Sequence, residues 1–270
     1  MVFTLTTTII HIKMSTIVFS IILISFIFAP LGCIALWKRY IYFGDALAHA
    51  SLLAGTISLS LGLPMVYCGT ILAIVFAILV FNFKTFDNNA IISLIAGIMV
   101  AIALIISYLH PSRINIDQLL FGDIITVMFS DLIALAALLA AVAGFLMLFY
   151  KPIILMTLNR DIAIISGIKV ATLELAYLVL LSVSVFAAIK MVGTLLVTTV
   201  LLVPAMSARA LATNPLNMII MAIVIALISN LLGLSLSFYL DIPVAAMIIM
   251  VGAFTYCLTI LWQRYKKSTS

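Results

Sequence analysis

The stretch ALAHASLLAGTISLSLGLPMVYCGTILAIVFAILVFNF, residues 46–83, contains no Asp, Glu, Lys or Arg. As one straight helix its 38 residues would reach about 57 Å, nearly twice the roughly 30 Å hydrocarbon core of a bilayer. The run must therefore turn, and the helix breakers cluster at Gly62-Leu63-Pro64. Two spans result, near 46–62 and 64–83. A membrane β-strand would alternate apolar and polar residues, and this stretch does not. Backbone groups in lipid must be satisfied within their own segment, so the spans are read as helices.

The rest of the chain repeats this pattern. Of its 270 residues, 67% are hydrophobic and 8% charged, against about 45–50% and about 25% in soluble domains. A soluble fold of this length could not cover so much apolar surface, whereas a bilayer accepts it. Further windows free or nearly free of charge give nine candidate spans in all, near 14–37, 46–62, 64–83, 90–110, 131–150, 170–189, 191–208, 216–240 and 242–263. The window 191–208 is short and follows Lys190-Met191-Val192-Gly193. Read as a half-helix, it leaves eight full spans and one broken one. The expected fold is thus all-α, a polytopic bundle of eight to nine spans forming a single domain over residues 1–270. No linker, repeat or low-complexity segment divides it. Ala29-Pro30-Leu31-Gly32-Cys33 faintly resembles a lipoprotein cleavage site. Pro30 stands where leucine is wanted and the apolar run continues to Trp37, so a retained first helix is expected.

Basic residues set the orientation. With the C-terminus in the cytoplasm, Lys38, Arg39, Lys84, Lys151, Arg160, Lys169, Arg209, Arg264, Lys266 and Lys267 fall inside, and Lys13, Arg113 and Lys190 outside. The reverse placement inverts that ratio, so the N-terminus is expected outside and the tail 264–270 inside. The same scatter argues against nucleic acid as a partner, despite a net charge of +5. Cys33, Cys68 and Cys257 lie singly in apolar runs and read as small hydrophobes.

Two loops are long enough to hold structure. Residues 151–169 lie inside; Asn159 can cap a short helix with Asp161 in its first turn and Gly167 at its end. Such a helix either docks a partner or lies at the membrane interface. Residues 111–130 lie outside, where Asp117, Asp123 and Asp131 read as exposed loop acids or as a cation-attracting mouth.

Within the spans, Gly44-Asp45-Ala46-Leu47-Ala48-His49-Ala50-Ser51 carries the clearest chemistry. Asp45 and His49 are four apart and share a helix face. Carboxylate oxygen and imidazole nitrogen are ordinary ligands of Zn²⁺, Mn²⁺ and Fe²⁺, and ionisable groups in a membrane usually face a pathway or a partner. Two ligands fall short of a tight site, which suits passage better than storage. The alternatives are that Asp45 serves the helix N-terminus and that His49 bonds a neighbouring helix. Ala46, Ala48 and Ala50 would let another helix approach closely. His11 and His110 are weaker candidates, Glu174 is expected to be paired or near the interface, and Lys190 to snorkel outward. HExxH, GxSxG and phosphate-loop motifs are absent from the sequence. A membrane enzyme is therefore disfavoured, and ATP-driven transport would need a separate ATPase. A standalone secondary transporter would need coupling acids at mid-membrane, and none is found beyond Glu174.

The segment from Trp37 to Leu53, Trp37-Lys38-Arg39-Tyr40-Ile41-Tyr42-Phe43-Gly44-Asp45-Ala46-Leu47-Ala48-His49-Ala50-Ser51-Leu52-Leu53, closely resembles the "RR-x-x-YFGD-x-LAHASLLG" segment of the ABC-3 metal permeases. Lys190 to Ala205, continued by Arg209, resembles that family's "K-x-VG-x-LL-x-T-x-LL-x-PAA-x-AR" run, and Asp117-Gln118-Leu119-Leu120-Phe121-Gly122-Asp123 its "YLFGD" segment. Met206 and Ser207 stand where the family often has Ala-Thr, and a longer leader precedes the first span. The resemblance covers roughly 30–265. It implies a membrane permease of a bacterial metal importer, with zinc as the expected cargo and manganese or iron as the alternative, and with a fold similar to the vitamin B12 and siderophore importers (type II). It further implies a cytoplasmic-membrane location, a second copy of the chain, two cytoplasmic ATPase subunits and an external metal-binding protein. Nothing is expected to be bound permanently; the metal is cargo. Asp45 and His49 become expected pathway ligands, and Asn159, Arg160, Asp161 and Gly167 the expected coupling segment to the ATPase.

Overall fold

Each of the nine apolar windows gives one long helix in the computed structural model, which describes residues 2–83, 88–109 and 127–268. In chain order these are α1 (Val2–Trp37), α2 (Phe43–Leu61), α3 (Met65–Asn82), α4 (Asn88–Leu109), α5 (Phe129–Leu158), the short α6 (Arg160–Ile165), α7 (Val170–Val192), α8 (Thr194–Leu211), α9 (Pro215–Leu240) and α10 (Val244–Ser268). No strand occurs among the described residues. Seven helices are long and apolar enough to cross a membrane: α1 over Met14–Trp37, α3, α4, α5, α7, α9 and α10. The other two expected spans, α2 and α8, are not among those seven. Segment 110–126, with His110, Asp117 and Asp123, lies outside the described residues, as do the side chains of His11 and Lys190. Asp131 is described: its carboxylate accepts the Met128 backbone N–H at 3.0 Å and so caps α5.

The turn expected at Gly62-Leu63-Pro64 is present. Gly62 adopts φ 64° and its N–H bonds Ser58 O, closing α2 with a left-handed cap. Pro64 then precedes α3. Several boundaries differ from the sequence reading. α5 does not stop at 150 but runs through Lys151 and Pro152 to Leu158. Its 30 residues make it about 45 Å long, longer than a bilayer core of roughly 30 Å, and the connecting segment shortens to 159–169. The window 191–208 becomes α8, a continuous helix of 18 residues or about 27 Å, slightly short of a full bilayer core. A single residue, Gly193, separates it from α7. Gly193 has φ 79° and ψ 164°, a conformation essentially closed to residues with a Cβ.

α8 lies at the centre and packs against α1, α2, α7, α9 and α10. It comes very near α1: a Cβ on Gly32 would stand 1.8 Å from the Leu201 carbonyl oxygen, so two backbones touch there. α2 packs chiefly on α4, α3 on α7, and α9 on α1 and α10. Outward faces of α4, α5 and α10 carry exposed Leu104, Met147, Leu148 and Phe254, which is the surface lipid requires.

Polar side chains inside the bundle pair across helices. Asn230 of α9 donates to Ser25 Oγ of α1 at 2.9 Å, Ser229 lies 3.2 Å from Thr255 of α10, and Tyr177 of α7 donates to Leu31 O of α1 at 2.9 Å. Asn230→Leu is expected to lower stability by about 1 kcal/mol, read as an earlier midpoint in detergent unfolding.

Candidate functional site

The start of α2 is wedged into the bundle by small residues. Gly44 faces α8, where an added Cβ would meet Thr198 Oγ1 at 3.3 Å and Leu201 at 3.5 Å. Ala46, Ala48 and Ala50 are each buried, the close packing their size allows. Phe43 is fully buried and meets Phe76 of α3 edge-on, with ring centroids 5.2 Å apart. These contacts fix the rotation of α2 and leave Asp45 and His49 on its uncovered face. Their side chains are 56% and 58% exposed.

Both open onto a groove of about 360 Å³ between α2 and α4, lined also by Tyr42, Ala46, Ser93, Ala96, Gly97 and Val100. Nothing approaches within 4 Å of a Cβ position on Gly97, so the α4 side of the groove is open at that point. His49 Nε2 lies 3.8 Å from Asp45 Oδ2, too far for a hydrogen bond. Two ligands on one tetrahedral ion at about 2.1 Å each stand about 3.4 Å apart. A small side-chain rotation would therefore bring both atoms onto one cation. Among the described residues, no third His, Cys, Asp or Glu joins them in a ligand cluster. The sequence reading did not find Ser93 and Gly97, because an apolar span with one Ser and one Gly gives no chemical signal.

The segment after α5 is built as expected from its capping residues. Asn159 Oδ1 accepts the N–H groups of Asp161 and Ile162 at 3.0 and 3.1 Å, and Gly167 follows with φ 78°. Ala163 is fully buried, while Ile162, Ile164 and Ile165 are 50%, 54% and 86% exposed. Six residues thus display isoleucines outside any apolar span. Asn159→Ala is expected to remove about 1 kcal/mol of cap stabilisation, seen as faster hydrogen exchange at Asp161 and Ile162 with the bundle unchanged.

Glu174 is paired, one of the two outcomes the sequence left open. It is 2% exposed. Tyr40 Oη donates to its Oε1 at 2.9 Å, Lys38 Nζ lies 3.6 Å from the same oxygen, and Arg160 Nη1 lies 3.7 Å from Oε2. The end of α1, the entry to α2, the start of α6 and the first turns of α7 therefore meet at one carboxylate. Leu36, Met206, Arg209, Tyr256 and Gln263 line a pocket of about 330 Å³ where α1, α8 and α10 end together. Lys38 and Arg160 thus meet at Glu174, while Arg209 lines the pocket at the ends of α1, α8 and α10.

A sequence model of the ABC 3 transport family matches residues 11–263. The chain is 26% identical over 243 residues to the high-affinity zinc uptake system membrane protein ZnuB of Haemophilus influenzae, covering 88% of this chain and 93% of that protein. It is 27% identical over 241 residues to the manganese transport system membrane protein MntC of Halalkalibacterium halodurans, covering 88% and 82%. Its fold matches a chain of the solved structure of PsaBC from Streptococcus pneumoniae in complex with Fab, with a TM-score of 0.81 and 21% identity over 96% of this chain and 95% of that one.

Proposed function

The chain belongs to the ABC 3 transport family, and from that premise we propose that it is the membrane permease of an ATP-driven importer of a divalent transition metal, with zinc as the cargo. One observation carries the reading. The ionisable pair exposed on α2, Asp45 and His49, holds an oxygen and a nitrogen 3.8 Å apart beside an open groove. That donor set suits a borderline cation and not an organic solute. The zinc uptake relative of similar length supports zinc over its congeners, and the manganese relative makes Mn²⁺ the second reading.

Two donors hold an ion weakly, which a passage site requires. A second copy of the chain, related by a two-fold axis, presents the same two groups and completes a four-ligand shell when the copies close. Two ATPase subunits dock on α6 through its exposed isoleucines, in a segment that Asn159, Arg160, Asp161 and Gly167 shape. An external metal-binding protein delivers the ion on the opposite side. The membrane is the bacterial cytoplasmic membrane, with the N-terminus outside and the C-terminus inside. ATP binding moves α6 and the helices it touches, and the groove alternates between the two faces.

Reconstitution of the permease with its ATPase and binding protein tests this. Uptake of zinc ahead of manganese and iron, dependent on ATP, is the expected result. Transport by the permease alone, without ATPase, would instead establish a secondary transporter.

A further inference from the structure

We infer that Glu174 is the positioning residue that links the ATPase-docking helix α6 to the metal-bearing start of α2, an inference that rests on the transport reading above. The connection is continuous in contacts. Arg160, the first residue of α6, faces Glu174 Oε2 at 3.7 Å. The other oxygen, Oε1, takes the Tyr40 hydroxyl at 2.9 Å and Lys38 at 3.6 Å. Tyr40 is fully buried in the short connection between α1 and α2. Its ring stacks on Tyr177 with centroids 6.5 Å apart and lies 6.2 Å from Phe43. Phe43 is the first residue of α2, two before Asp45.

The energetics make this contact a switch and not merely a clamp. A buried carboxylate is tolerated only while cations and donors offset its lost hydration. The Lys38 side chain is 13% exposed, but that of Arg160 is 57% exposed. Arg160 is thus the one of these two cations whose position an external partner can change. The Asn159 cap holds the start of α6 rigid, so a push on its isoleucines moves Arg160 with it. Withdrawal of Arg160 leaves Glu174 more dependent on Lys38 and Tyr40, and the α1–α2 connection shifts toward it. Burial, and next the Glu174 charge, push the Tyr40 phenol well above its usual value, so Tyr40 remains a donor throughout. The outcome is a small rotation of α2 that changes how Asp45 and His49 face α4.

The test uses the full transporter in liposomes, with the exposed Cys257 replaced by Ser and a Ser93→Cys reporter in the groove. ATP is expected to change thiol labelling at position 93 about fivefold or more in this background, and by less than about twofold in E174Q or R160Q. Metal delivered per ATP hydrolysed falls in parallel, R160K restores it, and the E174Q/R160Q pair is no worse than either single change. A purely structural role would lower assembly without altering that ratio or being rescued by R160K. Normal coupling in both single variants, additive losses, or no ATP response at position 93 before either substitution would overturn the link. If E174Q fails to assemble, R160Q decides alone, because that side chain is largely exposed. Absence of metal uptake in the unsubstituted complex would sink the transport reading instead, while the labelling still decides the link.

Discussion

His49→Ala, in the complete transporter, should lower the rate of zinc uptake at limiting metal by about 100-fold or more, since outer-shell changes alone cost about 10–100-fold at metal sites. The substitution removes the one side-chain nitrogen among the described residues lining the α2–α4 groove. It should not disturb the fold, because the side chain is 58% exposed and its 3.8 Å approach to Asp45 is not a hydrogen bond. Asp45→Asn is a sharper probe, since it keeps the shape and one oxygen while removing the charge. It should reduce uptake less than His49→Ala and shift preference away from hard cations. Basal ATPase activity should persist in both variants, because neither residue touches α6. Wild-type uptake in both, with the proteins correctly inserted, would show that metal passes elsewhere.

Gly32→Leu should prevent assembly of a stable permease. The contact at that point is with the Leu201 carbonyl, not with the tip of a flexible side chain. Overpacking ordinarily costs about 1–3 kcal/mol, and here relief requires the whole of α1 to move from α8. Since α8 also packs on α2, α9 and α10, the strain would spread through the bundle. The measurement is the thermal midpoint of the detergent-purified chain, or its yield where none is recovered. Gly97→Ala is the matched control: a Cβ there meets nothing within 4 Å, and stability should be unchanged. A Gly32→Leu chain as stable as the parent would mean that α1 and α8 do not meet as described.

The positions of the helices were legible because charge in lipid is costly, so a list of charged residues is nearly a list of span ends. The rule failed where a helix outlasts the membrane. Lys151-Pro152 looked like an exit into a loop, yet α5 continues to Leu158, and neither residue stops it. At the site, Asp45 and His49 could be paired from sequence because their separation is a helical repeat. The wall facing them could not, because which helix packs against α2 is decided by tertiary contact. The assembly at Glu174 was equally hidden. Lys38 and Tyr40 come from the α1–α2 connection and Arg160 from the start of α6, and nothing in the sequence connects those two segments with Glu174. An acid near the start of an apolar span was the whole signal.

The contrast between α1 and α5 has a consequence for how this sequence can change over time. In α1, 72% of the most apolar stretch is buried against protein, and in α5 only 11%. A residue facing lipid is constrained to be apolar but not to have a particular shape, because fluid acyl chains fit any contour. Leucine, isoleucine, valine and phenylalanine can replace one another along α5 with little selective penalty, while each position of α1 answers to a specific neighbour. Much of the surface of this protein is therefore free to drift neutrally. A chain can then keep its backbone while retaining about a quarter of its residues in common with a relative, and the substitutions that separate them should collect on the lipid-facing helices.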